Sequence, residues 1–245
     1  MRPEEAPERL QALGFSDEDA SLLADHFLDA EARGRLSHGL ARIEWLETRT
    51  DLNPEARPEL VATYPGFQRW EGHGALGYLT LGAICRALVE EPPWPACVIA
   101  AADCFPTGAL GYWVRWLADA GLVALLTATS PARLAHPDGG PPLAGTNPLA
   151  IGIPNPDGPP IVVDVSMGKV TYGDVLRGAA RPEDLVPFGG EQAYKAFALA
   201  LGLQLLVDSL AGEGYGALLV VARPEFHPVP ALRERAAGLR LPGDR

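Results

Sequence analysis

Unbroken apolar runs, too short for helices, recur along this chain and are separated by stretches of helical period. Residues 96–101, 122–127 and 217–222 are such runs. A strand apolar at every position must be covered on both faces, as in sheets flanked by helices. Between them, residues 79–90, 111–120 and 193–211 carry helical spacing, and 231–239 read as a terminal helix. Ser16 followed by Asp17, Glu18 and Asp19 is a helix start, a hydroxyl cap with acids in the first turn, and Gly34 closes that helix. A second helix is expected from about Ser37 to Thr48, a short strand over 61–64, and two strands at 150–153 and 161–165 joined through Asn155-Pro156-Asp157-Gly158. Residues 130–148 and 177–190 read as loops. The alternation predicts an α/β fold, a single unit over residues 1–245 with a helical part to about 60 and an α/β core from about 61.

Charge narrows the partners. Net charge is −11, which argues against nucleic acid and anionic membrane but leaves room for a local arginine clamp on a small anion. No apolar run approaches the roughly 20 residues needed to span a bilayer, and residues 1–9 lack the apolar core of a secretory signal, so a cytoplasmic location is expected. The three cysteines, Cys85, Cys97 and Cys104, have neither zinc-ligand nor disulfide-framework spacing and are expected reduced and packed, with no metal site. Only two lysines occur, Lys169 and Lys195. That scarcity, with few Asn, Gln and Met, fits a GC-rich or thermophilic source. No Gly-x-Gly-x-x-Gly follows a strand and no phosphate loop is present, so a nucleotide site here is non-Rossmann.

Four groups of residues can carry chemistry. His38 and Arg42 stand four apart, which on one helix places them on one face; imidazole passes protons and guanidinium holds a carboxylate with two parallel hydrogen bonds. Gly145-Thr146-Asn147-Pro148 is a turn with polar handles. Asp164 ends an apolar strand ahead of Ser166 and Gly168, a usual ligand position in α/β sheets. Tyr194 and Lys195 open a helix after Gly189-Gly190, where an anion is favoured. Each alone also reads as ordinary surface or turn chemistry.

Taken in order, these pieces resemble the malate/L-lactate dehydrogenase-like NAD(P)-dependent oxidoreductases. The match runs through Arg33-Gly34-Arg35-Leu36-Ser37-His38-Gly39-Leu40-Ala41-Arg42, the turn Gly74-Ala75-Leu76-Gly77, Gly145-Thr146-Asn147-Pro148, Asp164-Val165-Ser166-Met167-Gly168, the Gly189-to-Lys195 helix start and the Leu241-Pro242-Gly243-Asp244 tail. Val163 to Met167 with Tyr172-Gly173 points to the branch that includes 2,3-diketogulonate reductase. The resemblance implies an L-sulfolactate dehydrogenase-like fold with a mixed sheet and flanking helices, a homodimer, and hydride transfer between NAD or NADP and C2 of a 2-oxo or 2-hydroxy acid. It implies His38 as proton donor, Ser37, Arg42, Thr146 and Asn147 on the substrate, and Asp164, Val165, Ser166, Met167, Gly168, Tyr194 and Lys195 on the cofactor.

Three departures accompany it. The family's second histidine, in an Asn-His motif after the strand at 97–101, is absent from Ala102-Asp103-Cys104-Phe105-Pro106-Thr107, where Asp103 and Cys104 are the nearest substitutes. Segments are missing between Gly173 and Gly189 and between Gly212 and Gly216. The usual Lys-Gly is Lys195-Ala196. The alternative reading is therefore a catalytically impaired relative that binds a metabolite or a partner protein.

Overall fold

A computed structural model describes residues 2–244; Met1 and Arg245, the ends of the expected single unit and, for Met1, of the segment read for a signal, lie outside the described residues. Three helices lead the chain: α1 (Ala6–Ala12), α2 (Asp17–Ala32) and α3 (Ala41–Glu47). Ser16 caps α2 by accepting from the Asp19 amide. The sheet then draws on β1 (Glu59–Tyr64), β2 (Phe67–Glu71), β3 (Ala96–Ala102), β4 (Val123–Ala128), β7 (Leu149–Ile153), β8 (Ile161–Val165) and β9 (Ala217–Ala222), with β5 (Leu134–Ala135) and β6 (Pro142–Ala144) forming a separate small ribbon. Helices α4 (Gly77–Glu90), α5 (Leu110–Asp119), α6 (Tyr172–Leu176), α7 (Ala193–Ala211) and α8 (Val229–Arg235) complete it.

The seven strands lie in the order β1-β2-β3-β9-β4-β7-β8. Only β2 and β3 pair parallel; the other neighbours run antiparallel. The sheet is thus mixed. The period of a strand explains its apolar runs: Ile99, Ala101, Leu219 and Val221 join the main core with α2, α4 and α5, whereas Ala100 and Leu218 face Val207 and Ala211 of α7. Both faces are covered, so no polar alternation survives.

The structure differs from the sequence reading in places. Strand β2 was not expected; it is short and half polar, Phe67-Gln68-Arg69-Trp70-Glu71, and owes its place to pairing on both sides. The expected loop at 130–148 contains the β5–β6 ribbon, and α8 starts earlier than residue 231 because Pro228 and Pro230 fit a first turn. Residues Gly190–Ala211 are long and apolar enough to cross a membrane by length and composition, where the sequence reading found no such run; here α7 lies on β3, β4 and β9 with Ala200, Val207 and Ala211 buried.

The helix expected from Ser37 to Thr48 is two pieces. A 3-10 turn spans Leu36–His38, Gly39 is extended (φ −87°, ψ −150°), and α3 begins at Ala41. His38 and Arg42 therefore do not share one helical face. The break has a cause: Glu31 reaches across from α2 and accepts from the Leu40 amide, and a Cβ on Gly39 would fall 1.9 Å from that carboxylate.

Candidate active site

A cleft of about 460 Å³ opens between the Gly34–His38 turn, α3, the Phe105–Ala109 segment, the end of β4, and α6. Five arginines line it (Arg35, Arg42, Arg49, Arg133, Arg177) against two carboxylates, Asp164 and Asp174. In a chain of net charge −11 this local excess of positive charge selects small anions. Arg35 pairs with Asp164, Arg49 with Asp51, and Arg177 with Asp174. Arg42 and Arg133 have no carboxylate partner among the described residues, and the Arg42 Nε is buried with nothing to bond. Arg42 flanks the Trp45 ring at 5.4 Å, and the Arg133 guanidinium stacks on Tyr172 at 3.5 Å. Burying part of a guanidinium without a partner is costly, so the cleft is built to receive an anion there.

His38 sits beside Arg42 despite the helix break. Its Nδ1 is buried without a partner. Burial first, then the charges of Arg42 and Arg35, push its pKa down to about 3, against which Asp174 pulls only weakly. Burial thus holds the imidazole neutral at pH 7. A second histidine, unnoticed in the sequence, lies behind the same wall. His26 of α2 is fully buried, accepts from the Ala109 amide through Nε2 at 3.1 Å, and leaves Nδ1 unpartnered. Burial drives its pKa well down too. Both histidines take up a proton when unfolded that the native state refuses, so stability falls as the pH drops below about 6.5, by up to about 1.4 kcal/mol per pH unit for each. Burial raises the Asp164 pKa, which opposes part of this. Calorimetric melting between pH 7 and 5 should show that slope, and a shallower one in His38→Gln.

The other predicted residues divide. Ser37, Thr146, Asp164 and Ser166 line the cleft with His38 and Arg42. The Asp164 carboxylate is already engaged: it accepts from the Gly111 amide in the first turn of α5 at 3.0 Å and faces Arg35. Asn147 is outside the cleft. It is fully buried, accepts from Ser130 N, and donates to Ala200 O and Gln204 Oε1, so its amide pins the 145–148 turn onto α7. Asn147→Ala should cost about 2 kcal/mol in chemical denaturation, because its partners are left unpaired in the interior. Met167 is buried against Leu134 and Ala200, Val165 is exposed, and Gly168 bridges to Pro187. Tyr194 and Lys195 stand exposed at the start of α7, with the Lys195 ammonium on Gln192. None of these five lines the cleft.

The two substitutes for the missing histidine are also committed elsewhere. Asp103, in the left-handed region (φ +47°), accepts from the Gly74 amide. Cys104 is buried with its thiol pushed well above the usual range and directed at Gly77 O. Neither lines the cleft. Residues that the sequence reading missed are Arg133, a lone arginine inside a Pro/Gly-rich loop, and Tyr78, which directly follows the Gly74-to-Gly77 turn; both line it.

Comparison with known proteins places this geometry. A family model described as malate/L-lactate dehydrogenase matches residues 4–185. A Delta(1)-pyrroline-2-carboxylate/Delta(1)-piperideine-2-carboxylate reductase of Pseudomonas aeruginosa is 31% identical over 223 residues, covering 86% of this chain and 66% of that protein. A (2R)-3-sulfolactate dehydrogenase (NADP(+)) of Chromohalobacter salexigens is 28% identical, over 84% of this chain and 69% of its own length. The chain thus spans about two thirds of these curated relatives. The crystal structure of a dehydrogenase from Sinorhizobium meliloti superposes with a TM-score of 0.87 at 26% identity, covering 99% of this chain and 87% of that one. With the model matched across most of its length and the same fold throughout, this chain belongs to the malate/L-lactate dehydrogenase family.

Proposed function

We propose that this chain is an NAD(P)H-dependent oxidoreductase interconverting a small 2-oxo acid and its 2-hydroxy acid. The observation that carries it is the unpaired Arg42 guanidinium beside a neutral His38 in an arginine-lined cleft. Arg42 holds the substrate carboxylate through paired hydrogen bonds. Ser37 and Thr146 flank the acid, and His38 hydrogen-bonds the oxygen on C2, where a neutral imidazole polarises a carbonyl without carrying charge.

The residues favour a nicotinamide cofactor. From Asp164 at the cleft the chain runs to Met167, whose carbonyl accepts from the Phe188 amide, and Lys169, whose amide donates to Val186 O, so that Gly168 lies opposite Pro187. These partners lead into Gly189, Gly190 and the start of the 19-residue α7, whose positive end and Lys195 suit phosphate. When bound, the reduced nicotinamide supplies the hydride to C2. The choice of NAD or NADP, a homodimer burying the exposed Leu199, Leu205 and Leu206 of α7, a cytoplasmic location, a thermophilic source and a single folding unit belong to the same proposal.

A second reading, a metabolite-binding relative without turnover, draws on Phe105, Pro106 and Thr107 standing where a histidine is expected. Initial rates of NADH and NADPH oxidation with a panel of 2-oxo acids separate the two. Turnover that requires Arg42 supports the reductase; calorimetric NAD(P)H binding with no turnover by the folded protein supports the second reading instead.

A further inference from the structure

Arg42 and Arg133, the cleft arginines without a carboxylate partner among the described residues, meet at one short stretch of chain. Arg42 comes from α3, and its Nη2 presses on Gly173, where a Cβ would fall 2.7 Å from it. Arg133 comes from the loop just before β5, and its guanidinium lies on the ring of Tyr172, 3.5 Å from the centroid. Tyr172 and Gly173 are consecutive, with Cα atoms about 3.8 Å apart, so the two cations flank the first turn of α6. Both mountings are firm. The Arg133 amide donates to Ala144 O, and the next side chain, Leu134, is buried with Ala144, Met167 and Ala200. Thr171 caps α6 by accepting from the Asp174 amide. The Asp174 carboxylate takes the Thr171 amide and hydroxyl and pairs with Arg177. The other cleft carboxylate, Asp164, is held by the Gly111 amide and Arg35. Both carboxylates are thus committed away from Arg133.

We infer that Arg133 reads the far end of the substrate and selects 2-oxo acids that carry a second carboxylate. This rests on the reductase reading. Two guanidinium groups flanking one turn repel each other, and a dianion bound between them neutralises both at once. Stacking on Tyr172 occupies one face of the Arg133 plane and leaves its edge, where the N–H donors lie, for a planar carboxylate. Arg42 takes the carboxylate next to C2, and Arg133 takes the other. Tyr172 is a positioning residue: it fixes the plane in which Arg133 presents its donors. The specificity device therefore couples two segments far apart in sequence, the loop before β5 and the start of α6.

The test is steady-state kinetics with oxaloacetate and 2-oxoglutarate, which carry a second carboxylate, and with 2-oxobutanoate, which ends in a methyl group. Wild type is expected to favour the better dicarboxylate over 2-oxobutanoate by about tenfold or more in kcat/KM. Arg133→Met is expected to lower that ratio by about tenfold or more, mainly through KM, because a charge-assisted pair is lost. Arg133→Lys keeps the charge but not the stacked fork, and Tyr172→Leu removes the platform; each should lower the ratio by about threefold or more. A wild-type ratio within about threefold of unity overturns the inference and leaves the reductase reading standing. An equal loss on all three acids in Arg133→Met assigns Arg133 a structural role and also overturns it. So does a raised KM for NAD(P)H with the ratio kept, which assigns Arg133 to the cofactor. Wild type inactive on all three acids overturns the reductase reading and this inference with it.

Discussion

Replacing Arg42 by methionine is expected to raise KM for a 2-oxo acid by about 10²-fold or more while changing kcat far less. Two charge-assisted hydrogen bonds to one carboxylate are lost together, each worth about 1.5–3 kcal/mol, and about 1.4 kcal/mol is tenfold in affinity. An effect on KM rather than kcat is expected because the carboxylate is held alike in ground and transition states. The fold should tolerate the change: Arg42 makes no ion pair among the described residues and leaves its Nε unpartnered, and methionine keeps contact with Trp45. Arg42→Lys should not rescue, because a point charge cannot reproduce the planar pair of donors. Steady-state kinetics on the three proteins checks this.

The second large effect is on the scaffold. Gly77→Ala places a Cβ 2.7 Å from Phe105 N, 2.8 Å from the Cys104 carbonyl carbon and 2.8 Å from Pro106 O. All three are backbone atoms, so no side chain can turn aside. Helix α4 must shift away from the segment that carries Phe105 to Ala109, and Tyr78 moves with it. A loss of about 3 kcal/mol is expected, which for a chain this size lowers the melting temperature by about 6–12 °C. By contrast Gly202, with open space around its Cβ position and an interior place in α7, should accept alanine with no loss.

The sheet was legible because its signal is local. Continuous apolar runs at 96–101 and 217–222 become β3 and β9 with nearly those bounds, and residues 193–211 become α7. The site was legible only in part, because its chemistry depends on contacts across the chain. Arg33 to Arg42 marked the right segment, but the Glu31 carboxylate, nine residues from the Leu40 amide it binds, breaks the helix there. Asn147 looked like a ligand residue because its motif is polar, yet Ala200 and Gln204, more than fifty residues on, consume its amide. The neutrality of His38 comes from burial and two arginines, which residue spacing does not encode. His26, Tyr78 and Gly108 meet from three separate elements, so the sequence pattern that showed a missing histidine could not show what stands beside its place.

The central claim is that the Arg42–His38 cleft directs a hydride to C2 of an acid. Single turnover with NAD(P)H carrying deuterium at the transferable C4 position, with the product read by mass spectrometry and NMR, tests it most directly. The account predicts one deuterium at C2 of the 2-hydroxy acid from wild type and, at a substrate concentration below the wild-type KM, incorporation about 10²-fold slower by Arg42→Met. Cofactor oxidation without deuterium at C2, or equal rates of incorporation by both proteins, would contradict it.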